Sequence, residues 1–147
     1  MKITRIGVAI ATTLALVGCG SAEPAAEQVA PEPTSDEVYV CESVGRENEL
    51  VAGLQALDAA PGGVTGADAI NISLGLPGLV GVLLTLRQND DLSPDVQVAF
   101  EDLLGEAQRA KAQFELNGTL DPDPLLESIE EFHGECEAVG ASTGLSF

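Results

Sequence analysis

From residue 35 onward, apolar side chains recur every three or four positions, the spacing that places them on one side of an α-helix. Val40, Cys41, Val44, Leu50, Val51, Leu54 and Leu57 carry this pattern over 35–59. Thr34-Ser35-Asp36-Glu37 ahead of it fits a capping box, and Ala60-Pro61-Gly62-Gly63 closes it. Gly45 interrupts the run and marks a kink. A second stretch, Ala69 to Leu86, holds no charged residue. Pro77 in its middle lacks the N–H that a helix interior uses. This stretch therefore predicts a short helical piece at 66–74, a break at Gly75-Leu76 and a main helix from Pro77 to Gln88.

The third helix opens with Ser93 as N-cap and Pro94 at the first helical position. Its stripe is Val96, Phe100, Leu103, Leu104, Ala107, Ala110 and Phe114, and Asn117-Gly118 ends it. The fourth starts at Asp123-Pro124, carries Leu125, Leu126, Ile129, Phe132, Cys136 and Val139, and stops at Gly140. Residues 141–147 read as a loose tail. No alternating run supports a strand. The prediction is an all-α, antiparallel up-down-up-down four-helix bundle, with its second helix broken near Pro77. Burial of 69–86 at the centre of that bundle is the plain reading; membrane insertion is the alternative, at the lower limit of spanning length.

The first 34 residues have a different character. Lys2 and Arg5 precede a run without charge from Ile6 to Val17, a signal-peptide core and short for a membrane span. The run ends in Leu16-Val17-Gly18-Cys19, which resembles the lipobox of bacterial lipoproteins. The resemblance covers only about the first 19 residues. It implies cleavage before Cys19 and a diacylglyceryl group on the Cys19 sulfur. Two acyl chains, at about 0.8 kcal/mol per buried CH₂, suffice for stable anchoring. An ordinary signal peptide cut after Gly20-Ser21-Ala22 is the alternative, and it too exports the chain. On the lipobox reading, 1–18 is a signal peptide and 19–34 a lipidated cysteine with a Pro- and Glu-rich disordered tether. Residues 35–140 form the helical domain. The expected location is the extracytoplasmic face of a bacterial cell membrane, with the lipid on Cys19 as the membrane contact.

An exported domain makes an oxidised Cys41–Cys136 pair the expectation. Cys41 lies near the start of the first helix and Cys136 near the end of the fourth, ends that meet in an up-down bundle.

Charge narrows the function. The chain has 24 Asp and Glu against 6 Lys and Arg, a net charge of -18. Loss of Lys2 and Arg5 on cleavage leaves four bases against the same 24 acids, or -20. Nucleic-acid binding needs a basic footprint, and none exists. One His and three Cys cannot assemble the usual zinc ligand sets. Glu130, His133 and Glu137 share a helix side. A weak metal site is the sharper reading of them, and a solvated histidine balanced by acids the plainer one. Asn89-Asp90-Asp91 and Asp121-Pro122-Asp123 lack the EF-hand spacing and stand before helix starts, where acids complement the helix dipole. Asp36, Glu37, Asp90, Asp91, Asp95, Glu135 and Glu137 would gather at one end of the bundle, a weak divalent-cation candidate. No nucleophile, base and orienting acid form a set, so no catalytic residue, metal ligand or cofactor is assigned. The expected function is a non-enzymatic envelope lipoprotein that binds another envelope or extracellular protein. A carrier of lipid or another apolar ligand, opening around 69–86, is the alternative. An enzyme ranks third.

Overall fold

Thr34 starts the first helix through side chain and backbone together. Its hydroxyl accepts the Glu37 N–H at 3.1 Å, and the Glu37 carboxylate accepts the Thr34 N–H at 2.7 Å. This is the expected capping box. A computed structural model of the chain describes residues 32–60 and 66–147. The expected signal segment, Cys19 and the expected tether up to residue 31 lie outside the described residues.

The elements are α1 (Ser35–Val44), a 3₁₀ turn (Gly45–Glu47), α2 (Asn48–Ala59), α3 (Ala67–Leu86), α4 (Pro94–Asn117) and α5 (Asp123–Ala138). No strand occurs among the described residues. The α2 helix packs chiefly on α3, α3 on α4, and α4 on α5, while α5 also touches α1 and α2. Between them lie Leu54, Ile72, Leu76, Leu83, Phe100, Leu103, Ile129 and Phe132, all buried. Phe100 and Phe132 meet edge to face with centroids 6.3 Å apart, a favoured aromatic geometry. Cys41 and Cys136 form a disulfide that ties α1 to α5 across a sequence separation of 95.

The predicted first helix is two helices joined by the 3₁₀ turn at Gly45. A methyl group at Gly45 would overlap the carbonyl oxygen of Thr143. The C-terminal segment therefore crosses α1–α2 where only glycine leaves room. This corrects the expected loose tail at 141–147: Ala141, Thr143 and Leu145 are buried. Asn48 donates to the Gly144 carbonyl at 3.4 Å and accepts the Ser146 N–H at 3.3 Å. Nearer the core, the Thr143 hydroxyl accepts the Leu145 N–H at 3.2 Å, so a side chain does there what a helix or strand would otherwise do.

The expected break near Pro77 is also corrected. The α3 helix runs unbroken from Ala67 to Leu86 with Pro77 inside it. Pro77 lies on the exposed side. A mid-helix proline costs about 3 kcal/mol. Full burial of one Leu or Ile offsets about 1.5–3 kcal/mol, and α3 buries Ile72, Leu76, Leu79, Leu83 and Leu86. Gly75 is a packing contact rather than a break: a Cβ there would sit 2.8 Å from Leu50 Cβ on α2.

Candidate functional site

Because α3 is apolar all round, packing decides which of its sides is left free. Ile72, Leu76, Leu79 and Leu83 are covered, whereas Ile70, Leu74, Pro77, Gly81 and Leu84 are exposed. Leu74 is 71% exposed and Ile70 57%. By length and composition α3 could cross a membrane, but its inner side is occupied by the rest of the fold.

Beside this exposed side runs an open groove of about 430 Å³. One wall is Tyr39 and Ser43 of α1 with Arg46 and Glu47 of the 3₁₀ turn. The other is α3, at Pro77, Gly78, Gly81 and Val82. The lining is mostly apolar, with polar groups along the α1 wall. Kinking at Gly45 swings Arg46 and Glu47 to this position. A Cβ on Gly78 would lie 3.9 Å from Oε2 of Glu47, and one on Gly81 would meet nothing within 4 Å. The α3 backbone is thus open to an incoming group. Burial pushes the Glu47 carboxyl above its ordinary pKa. Glu47 has no hydrogen bond or ion pair among the described residues. Arg87, Arg109 and Lys111 pair with Glu101, Glu106 and Glu115. Arg46 has no such partner among the described residues.

The remaining sequence candidates fall elsewhere. Cys41 and Cys136 are joined, which removes both as nucleophiles. Cys19 is outside the described residues. His133 is half-buried beneath the C-terminal segment: Nδ1 shares a 2.5 Å hydrogen bond with the Thr143 hydroxyl, and the ring lies 5.2 Å from that of Phe147. Its Nε2 is 3.5 Å from Glu137. Glu130 is exposed and does not join this arrangement. Among the described residues, no group of three His, Cys, Asp or Glu side chains is placed to hold a metal ion. Glu37, counted with the acidic pole, turns inward instead and binds two backbone amides. At the other end of the fold Asp58 adjoins Asp123, and its negative charge raises the Asp123 pKa. That pairing has no local signal, because it links the end of α2 to the start of α5. The groove had none either, because the stretch 69–86 is apolar on every side and the α1 wall reaches it only through the fold.

A second apolar hollow, about 190 Å³, lies among Leu57, Ile72, Phe114 and Leu120. It is below the roughly 300–1,000 Å³ of usual ligand pockets. No family model, characterised protein or solved structure matches this chain.

Proposed function

We propose that this chain is an exported, lipid-anchored, non-enzymatic module that binds another protein at the extracytoplasmic face of a bacterial membrane. The observation that carries the reading is the uncovered apolar side of α3, with Ile70, Leu74 and Leu84 outward beside an open groove. Exposed apolar patches of this kind mark interaction surfaces. A disulfide suits an oxidising compartment and so supports export. We infer the antiparallel up-down arrangement from the short connections 87–93 and 118–122 and from the packing of successive helices on each other. The 430 Å³ groove is large enough for a small apolar ligand, which keeps the carrier reading second; its openness favours a macromolecule.

The test has two parts. In cells fed an alkyne-labelled palmitate, the chain should take up label, and Cys19→Ser should lose the label and pass into the medium. A photo-crosslinking amino acid at position 74 should yield one discrete protein adduct, and the same group at position 116 should not. Unlabelled wild-type protein would remove the anchor. A lipid-sized mass retained by native mass spectrometry, without the adduct, would promote the carrier.

A further inference from the structure

The spacing on the free side of α3 is specific. Ile70, Leu74, Pro77, Gly81 and Leu84 follow one another at intervals of four, three, four and three, and all five are exposed. This is the heptad spacing of a helix that packs along another helix. Two heptads give a seam roughly 21 Å long. At its centre Pro77 and Gly81 are small, and both also line the groove. Seam and groove are therefore one continuous surface, apolar along α3, with the exposed Arg46 and the half-buried Glu47 side by side on the facing wall.

Charge selects the occupant. A second copy would bring another net charge of -18 against the first, and like charges brought together in an interface are costly. A cationic partner gains on both counts. It meets the general negative field, and it supplies the counter-charge that the half-buried Glu47 lacks among the described residues. Burial already works against that carboxylate in the free protein, so a cation placed there recovers what desolvation costs.

The geometry points to a basic amphipathic helix of a partner protein as the occupant: its apolar side lies along Ile70, Leu74, Gly81 and Leu84, and a Lys or Arg reaches Glu47. This rests on the protein-binding reading above and gives it a site and a partner chemistry.

Three synthetic 18-residue peptides test it against the full lipidated chain in phosphatidylcholine nanodiscs, by fluorescence anisotropy. One is a Leu/Lys peptide with heptad Leu spacing, the second has Glu for Lys, and the third keeps the Leu/Lys composition in scrambled order. The first should bind at one per chain, and the other two at least tenfold more weakly. Gly81→Leu, whose added Cβ meets nothing within 4 Å, should weaken binding at least tenfold while the protein stays folded by circular dichroism. Glu47→Gln should weaken it about twofold to fivefold, the range that loss of one partly exposed ion pair gives. Leu116→Ala, on an exposed part of α4, should change nothing. Equal binding of the scrambled peptide would reduce the effect to bulk charge and overturn the proposal. So would indifference to Gly81→Leu, or a sedimenting dimer that Gly81→Leu abolishes, which would give the seam to a second copy. Adducts at position 74 that survive Gly81→Leu would keep the protein-binding reading and remove this groove from it.

Discussion

The Glu37 carboxylate on α1 accepts the backbone N–H of Ser93, the residue that opens α4, at 3.0 Å. The same carboxylate accepts the N–H of Thr34 at 2.7 Å. One acid thus supplies the carboxylate half of a capping box to two helices. The Thr34 hydroxyl reinforces the link by donating to the Asp91 carbonyl at 2.8 Å. Ser93, the expected N-cap, makes no side-chain capping bond to its own helix.

Glu37→Ala should therefore destabilise the fold by about 2–4 kcal/mol, because hydrogen bonds to a charged group are worth about 1.5–3 kcal/mol and two amides lose their partner. Its pH dependence has a definite sign. Burial would raise the Glu37 pKa, but the hydrogen bonds from Thr34 and Ser93 outweigh it and hold it below the ordinary value. The unfolded carboxyl, near 4.3, then binds protons first as pH falls. The contribution of Glu37 is full above that value and is lost on acidification through the lower folded pKa. Urea titrations of wild type and Glu37→Gln should show a difference that is constant near neutrality and shrinks below about pH 4.3. A gap that widens on acidification would contradict the assignment.

Gly45→Ala should cost about 1–3 kcal/mol, as overpacking does, because the methyl group overlaps Thr143. Deleting residues 142–147 removes the clash. In that shortened background Gly45→Ala should be neutral or stabilising by up to about 1 kcal/mol, since the Gly45 backbone is helical and alanine is the better helix former. Thermal melts of the four proteins form a double-mutant cycle. A penalty that persists without the tail would mean that the segment does not dock at Gly45.

How much of this was legible follows from where each signal resides. The α4 helix was readable to its ends because Pro94 and Gly118 act locally; Gly118 takes the left-handed conformation at φ 70°. The docked tail was not readable. Ala141 and Thr143 are small and follow no apolar period, and their burial depends on a glycine nearly a hundred residues earlier in the chain. Continuity through Pro77 escapes a sequence reading because the local cost is visible there and the tertiary gain is not. The exposed heptad seam was hidden for a related reason: in a wholly apolar stretch, only packing by α2 and α4 reveals which side stays free.

Reduction of Cys41–Cys136 should release α1 before the rest of the fold. Ten residues are too few for a helix that stands alone. The disulfide is the covalent tie from α1 to α5. Its loss should cost about 2–4 kcal/mol on chain-entropy grounds. In the Cys41→Ala/Cys136→Ala protein, amide exchange should rise first at 35–44 and last in α4. Uniform acceleration across all helices would show instead that the bond serves the fold as a whole.

Pro77→Ala distinguishes a continuous α3 from a broken one. In a continuous helix, Pro77 deprives the Ser73 carbonyl of its partner, and alanine restores that bond. Ser73 and Pro77 both lie on the exposed side, so the substitution disturbs no core contact. Stability should rise by about 1–3 kcal/mol, less than the full proline penalty because proline also restricts the unfolded chain. The backbone N–H gained at position 77 should be protected from exchange, and helical content should hardly change, since the residues on both sides are already helical. A broken helix would respond otherwise: the substitution would add helical signal by closing the gap. Unchanged stability with an unprotected amide would mean that the chain does not pass through position 77 as helix.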